Sequence, residues 1–407
     1  MKADPVVSLA RRGRACYTRA VSLRDQAAVV GIGQLPFSKN IGRSEEVTAL
    51  EAARLALEDA GLEPSDIDGM SKWSIQVTAE NAIARNLGVP NLRWFGEVGY
   101  GGGGGCGVVG HAAAAIAAGM ARCVLIYRSR NRGSGGRPWA GTSRERDQAQ
   151  AEGNETAFFA AYGFVRPVDQ VAMFARRFLH DRGYSTRHLG WIAVSTRKHA
   201  MNNPMAMMRE PMTLEDHARS RMISDPLRLF DNCLETDGAA AVIVADAAMA
   251  RDCRQKPAYI RAAAQGMGPR NFTMNNFFKD PFLESPGAHA ARDLWHMAGV
   301  GPKDVQVAQL YDAFTPLVLA SLEEYGFCKP GEAGGFVEDG GLEVGGRLPC
   351  NTSGGSLSEA YVHGINLIIE AVRQIRGTSC NQVPGAQLSL VTSGNMVPTG
   401  ALLFRGD

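Results

Sequence analysis

Asn351-Thr352-Ser353-Gly354-Gly355-Ser356-Leu357-Ser358-Glu359-Ala360-Tyr361-Val362-His363-Gly364 sets an asparagine, a glycine pair, a tyrosine and a histidine in one small-residue segment. Two other segments bear on its meaning: Tyr311-Asp312-Ala313-Phe314, which follows the apolar run Gln306 to Leu310, and the glycine run Gly101 to Gly105. A helix that opens after glycines offers unpaired backbone N–H groups and the positive end of its dipole, which suits a thioester oxygen or a developing enolate. A glycine run also serves close helix packing, so it carries weight only beside the other two segments.

Outward from these, the chain alternates. Ala27-Ala28-Val29-Val30-Gly31-Ile32-Gly33 predicts a buried strand, and Ser44 to Ala60, with Val47, Leu50, Leu55 and Leu57 at helical spacing before Gly61, predicts an amphipathic helix. Val108 to Gly119 is alanine-rich, Cys123 to Tyr127 is a buried-type strand, and Asp231 to Ala245 predicts another helix and strand. The second half echoes this order from Gln306 through a helix around Leu317 to Tyr325, then Asn351 to Arg376, and on to Gln387-Leu388-Ser389-Leu390-Val391. The expected division is an N-terminal extension over 1–26, a first half over 27–255 with an inserted cap at 128–222, and a second half over 256–407.

The 407 residues suffice for two or three globular units at roughly 150 residues each. Hydrophobic residues at 45% and charged residues at 21% exclude a disordered or fibrous chain, and 43 Lys plus Arg against 41 Asp plus Glu gives no reason to expect nucleic acid. Eight cysteines stand singly, without short-spaced pairs, which points to a reduced, cytoplasmic setting and to no metal in this chain. No apolar run approaches the roughly 20 residues of a spanning helix, so no membrane is expected. The basic start from Met1 to Arg24 lacks the apolar segment of a signal peptide.

The segment Asn351 to Gly364 resembles the active-site loop of thiolases, which runs asparagine, glycine pair, histidine-proline-leucine-glycine, with Tyr361 in the histidine's place and His363 where leucine would be. Tyr311-Asp312-Ala313-Phe314 stands where thiolases carry Asn-Glu-Ala-Phe. Counting back from Gly119, the nucleophilic cysteine's place is held by Gly102, or by Gly103 with a slip of one, and in Thr392-Ser393-Gly394-Asn395 the third catalytic group is replaced by Gly394. Arg197-Lys198-His199-Ala200, Asn203-Pro204, Ser220 to Leu227 and Asp237 to Ala241 extend the resemblance over residues 27 to 407. The whole set resembles the lipid-transfer-protein branch of the thiolase superfamily, closest to its bacterial steroid side-chain-cleaving aldolases.

That resemblance implies an α/β thiolase fold: two similar halves in a five-layered αβαβα arrangement. It implies retro-aldol cleavage of a β-hydroxyacyl-CoA, for example to propionyl-CoA and a 17-keto steroid, by an acyl-CoA-dependent carbon–carbon lyase. It implies a homodimer and an OB-fold, zinc-binding partner chain, together a heterotetramer, with zinc in the partner only and no cofactor in this chain. Retro-aldol cleavage needs proton transfer and enolate stabilisation but no nucleophile. Tyr311 and Tyr361 are therefore the expected proton-transfer pair, without assignment of base and acid. Gly103, Gly104 and Gly105 are expected as backbone oxyanion contacts, Asp312 and Asn351 as supporting groups, and His363 as a neighbour favouring a phenolate.

Blander readings stand beside these. Tyr361 can be a packed aromatic, His363 a structural residue, and Cys106, one helical turn beyond the nucleophile's place, a small buried helix residue. Two other functions are open: a Claisen-type acyltransferase using Cys106 or Cys350, and a non-catalytic lipid- or acyl-CoA-binding subunit.

Overall fold

The computed structural model describes residues 22–135, 161–164, 166–268, 274 and 285–407, so most of the expected N-terminal extension and part of the expected cap lie outside the described residues. Strand β1 (Ala27–Gln34) and helix α1 (Glu45–Ala60) show how the layers meet. A Cβ added at Gly31 or Gly33 would collide with the α1 carbonyls of Ala56 and Ala52, so these glycines let the helix lie directly on the strand. The face that α1 buries is consequently mostly alanine, Ala49, Ala52, Ala53, Ala56 and Ala60 with Leu57, while Val47 and Leu55, also part of the sequence's apolar spacing, are exposed. Ser44 caps the helix by accepting from Val47 N, and Gly61 ends it in the left-handed region at φ 72°.

The first half continues with β2 (Gly69–Trp73), α2 (Glu80–Leu87), β3 (Trp94–Val98), α3 (Gly105–Ala117) and β4 (Cys123–Asn131). Helices α4 (Pro167–Arg182) and α5 (Thr186–Met201) and a small hairpin of β5 (Met222–Ser224) and β6 (Leu227–Arg228) precede β7 (Asp237–Asp246). The helix expected after Asp231 is absent: a single 3₁₀ turn, Leu229–Asp231, stands there instead, because Asp231 accepts from Arg228 N and caps that one turn. The second half comprises β8 (Ala258–Gly266), α6 (Pro286–Ala298), β9 (Val307–Gln309), α7 (Thr315–Glu324), α8 (Ile365–Arg376), β10 (Leu388–Thr392) and β11 (Thr399–Arg405).

The main strands form one nine-stranded sheet in the order β3-β2-β4-β7-β1-β8-β11-β10-β9. The order mirrors itself about β1 and β8. In each part a parallel group is followed by an antiparallel strand, β7 or β11, that leads to the join. Beyond β9, a parallel bridge from Ala308 to Cys350 occupies the position that β3 holds in the first part. Within the sheet the two parts pair through Ala28 opposite Tyr259 and Val29 opposite Ala258. Helices α3 and α8 each pack on strands of both parts, whereas α1 covers the outer face of one and α6 that of the other. This is the five-layered αβαβα thiolase arrangement, with the loops after β2, β3 and β9 brought to one region of the central layer.

Candidate active site

Tyr311 stands two residues beyond β9, at the carboxyl end of a parallel strand, where open α/β sheets place their ligand sites. Its backbone is held rigidly. Asn351 Oδ1 accepts from Leu310 N at 2.8 Å, Asn351 Nδ2 donates to Leu310 O at 2.9 Å, and Tyr311 N donates to Thr392 Oγ1 at 2.9 Å. The Asn351 amide, at a left-handed backbone with φ 52°, thus holds the residue before Tyr311 through both its atoms, and it also lies in hydrogen-bonding contact with Asp312.

Asp312 is likewise engaged within the protein. Its carboxylate accepts from Ser356 N at 2.7 Å and Leu357 N at 3.3 Å, anchoring the π-helical turn Gly355–Glu359 that leads to Tyr361. Burial pushes the Asp312 carboxyl up to about 6. The same turn is secured by Glu359, which accepts from Ser353 Oγ, Asn366 Nδ2, Gln34 Nε2 and Asn203 Nδ2, and by cap residues Met207 and Met208, whose amides donate to Glu359 O and Ser358 O. Tyr361 itself is bracketed by Thr236, whose hydroxyl accepts from Tyr361 N at 3.2 Å and lies 3.3 Å from Tyr361 O.

These supports bring the two phenols into contact. Tyr311 Oη and Tyr361 Oη are 2.8 Å apart, with ring centroids at 6.4 Å and planes at 70°. Three glycines make the room. A Cβ at Gly102 would overlap the Tyr311 hydroxyl, and Cβ atoms at Gly364 and Gly394 would stand 3.3 Å and 3.2 Å from its ring. Position 102, where the resemblance places a thiolase's nucleophile, therefore has its side-chain volume filled by the Tyr311 phenol.

The surroundings distinguish the two tyrosines. Burial pushes Tyr361 up to about 12, with Cys233 adding to the rise and Arg132, the bond with Tyr311 and Arg128 opposing it. Tyr311 is raised as well, by burial first, then by Tyr361 and the hydrogen bond between them. Arg132 sits over the Tyr361 ring at 5.5 Å, which sets a cation against the Tyr361 phenol.

His363, expected as a neighbour favouring a phenolate, stands beside Tyr361 without an imidazolium's setting. Its Nδ1 faces Arg128, whose Nε and Nη2 each approach it at 3.3 Å, and burial together with Arg128, Arg132 and Arg130 holds the imidazole well below its usual range. The ring is neutral and leans on Tyr361 at 4.9 Å. Gly103 and Gly104 also depart from expectation. Their amides donate to Tyr100 O at 2.8 Å and Gly101 O at 3.1 Å inside a 3₁₀ turn, so of the three expected oxyanion contacts only the Gly105 amide, at the start of α3, is not taken up by that turn.

The cysteines proposed as nucleophiles are sealed. Cys106 is 2% exposed, directs its Sγ to Val391 O at 3.5 Å, and has its thiol pushed up to about 12 by burial. Cys350 is buried beside β9, and burial raises its thiol above the usual range. A cysteine that the sequence did not single out, Cys233, is the one near both tyrosines; its amide donates to Ala313 O at 2.9 Å and its thiol is pushed up to about 12 by burial. Among the described residues no group of three or more His, Cys, Asp and Glu is arranged to hold a metal, and no helix is long and apolar enough to cross a membrane.

Arg128, Arg132, Thr236 and Thr392 are functional neighbours that sequence reasoning missed. The available signal was Arg128 itself, a cation at the end of the apolar run Cys123 to Tyr127, since a charge at a buried strand position is costly unless it has a task.

Comparison with known proteins agrees with this geometry. Residues 273–401 match the family described as Thiolase C-terminal domain-like. The chain is 49% identical over 384 residues to a 17-hydroxy-3-oxo-4-pregnene-20-carboxyl-CoA lyase of Mycobacterium tuberculosis, covering 94% of this chain and 100% of the relative. It is 47% identical to a steroid side-chain-cleaving aldolase of Thermomonospora curvata, covering 94% and 98%. A solved Ltp2-ChsH2(DUF35) aldolase superposes with a TM-score of 0.89 at 45% identity, covering 95% of this chain and 99% of that one. A thiolase fold whose relatives at 47% and 49% identity are named aldolase and lyase defines a carbon–carbon lyase built on thiolase architecture. The chain belongs to the steroid side-chain-cleaving aldolases of the thiolase superfamily, and it is an enzyme.

Proposed function

We propose that the chain cleaves the side chain of a steroidal β-hydroxyacyl-CoA by a retro-aldol step, with Tyr361 as the base. The observation that carries this is the 2.8 Å contact between Tyr361 and Tyr311, with Arg132 over the Tyr361 ring. Tyr361, as phenolate hydrogen-bonded by Tyr311, takes the proton of the β-hydroxyl. The oxygen's electrons form the ketone C=O, the Cα–Cβ bond breaks, and its electron pair becomes the thioester enolate. Protonation at Cα, with the proton drawn from the tyrosine pair, releases the short acyl-CoA and restores the phenolate. The Gly105 amide and His363 are the donors available to the enolate oxygen.

The lyase and aldolase named among the relatives support the steroid as substrate class, and the two-chain aldolase supports a DUF35 partner, which we take to be the OB-fold, zinc-binding chain. A homodimer is proposed through β3, an edge strand whose Phe95 is 69% exposed, with Val77 and Tyr100 exposed beside it. The assembly is then a heterotetramer in the cytoplasm, with zinc in the partner and no cofactor in this chain. The division at 255 and 256 follows the mirror in strand order. Incubating the chain and partner with a steroidal β-hydroxyacyl-CoA tests the reading: ketone and shortened acyl-CoA appearing in equal amounts support it, and acyl exchange with free CoA without ketone refutes it.

A further inference from the structure

Arg128 is a buried cation without a carboxylate. It lies on β4 at 1% exposure, and its acceptors are all neutral: His363 Nδ1, Gln76 Oε1 at 2.8 Å, Ser129 O at 3.0 Å and Ile75 O at 3.3 Å. Gln76 Oε1 is itself fixed by Ser129 N at 2.9 Å, so the guanidinium has one orientation. A guanidinium has donors only, and the ring nitrogen it faces must offer a lone pair. The proton of neutral His363 is therefore on Nε2, and among the described residues that N–H has no protein acceptor, the ring's contacts being Arg128 at Nδ1 and the Tyr361 ring. The backbone of His363 is held in the left-handed region at φ 55°, which aims the ring from a constrained turn.

We propose that Arg128 is a positioning residue that fixes His363 as its neutral Nε2–H tautomer, so that the ring offers a donor to the thioester oxygen as it becomes the enolate oxygen. This rests on the retro-aldol reading and assigns His363 a part that an imidazolium could not play, because an imidazolium here would face the guanidinium. The charged groups acting on the ring are Arg128, Arg130 and Arg132, and the titratable ring against it is Tyr361. A histidine in this setting supplies one hydrogen bond and no proton, which suits an anion that must be stabilised and then protonated at carbon.

Nitrogen NMR on protein labelled at the histidine imidazoles, with the His363 signal assigned by its loss in His363→Gln, reads the tautomer directly. In the wild type His363 is expected to hold its proton on Nε2 without titrating between about pH 5 and 9, across the ordinary histidine range. In Arg128→Leu the ring is expected to mix tautomers and begin to titrate, and with the partner chain kcat falls about 100-fold while KM changes little, the size of a lost oxyanion donor. A wild-type ring protonated on Nδ1, a wild-type ring that titrates, or an unchanged spectrum in Arg128→Leu overturns the assignment. The spectrum is read without substrate. A fixed tautomer in a protein that cleaves no β-hydroxyacyl-CoA refutes the retro-aldol reading and the role given to this N–H with it, whereas a titrating His363 in an active enzyme refutes the Arg128 assignment alone.

Discussion

Gly102 and Tyr311 share one volume: the space that a Cβ at position 102 would fill is occupied by the Tyr311 hydroxyl. The resemblance sets a thiolase's nucleophile at Gly102, or at Gly103 with a slip of one, and of these two positions it is 102 whose Cβ would meet the Tyr311 phenol. The phenol reaches Tyr361 only because nothing projects from position 102.

Gly102→Ala should therefore displace Tyr311, lowering stability by about 1–3 kcal/mol, as overpacking does, and lowering activity with it. Backbone conformation is not the obstacle, since Gly102 is not among the glycines with positive φ. In a Tyr311→Ala background the same substitution should cost little. Urea denaturation of the four proteins of the cycle checks this, and additive costs would show that the two side chains do not compete.

Glu324 should make stability fall as pH rises through neutrality. It is buried, accepts from Ser285 Oγ and Asn395 Nδ2, and burial pushes it up to about 7. A carboxyl whose folded value is raised binds its proton more tightly in the native state than when unfolded. Its contribution is therefore present below the ordinary carboxylate range near pH 4.5 and is lost as pH climbs to about 7. Denaturation of wild type and Glu324→Gln at about pH 4.5 and pH 7.5 should show the wild type losing a few kcal/mol more than the variant, from about 1.4 kcal/mol per pH unit.

Cysteine chemistry should be dispensable. Cys106→Ala and Cys350→Ala should retain kcat, with stability lowered by about 1 kcal/mol through lost packing, and alkylation of the exposed Cys380 by iodoacetamide should leave turnover intact. Loss of turnover in Cys106→Ala, together with loss of an acyl label, would instead indicate the acyltransferase.

The sequence placed the candidate site's motif residues better than their environment. Tyr311, Tyr361 and Asn351 were legible because each stands at a motif position, and β1, α1 and α7 because their patterns are strong. Strand β8 was not read, since Ala258 to Gly266 carries Ala262, Ala263 and Ala264, a helical preference overridden by pairing with β11. The buried face of α1 was misread because glycines on β1 select alanine over the larger Val47 and Leu55. Neither the engaged amides of Gly103 and Gly104 nor the Arg128–His363 pair could be read, since the first needs the 3₁₀ turn and the second joins residues 235 positions apart.

The central claim is that the tyrosine pair replaces the cysteine nucleophile, and one comparison tests it most directly: turnover of a steroidal β-hydroxyacyl-CoA by wild type, Tyr361→Phe and Tyr311→Phe, each with the partner chain. Removing a general acid or base costs about 10²–10⁴-fold. Tyr361→Phe should fall by that amount with its fold intact, and Tyr311→Phe should fall too, since it loses the hydrogen bond that steadies the Tyr361 anion. Phenylalanine variants that cleave at the wild-type rate would contradict the account.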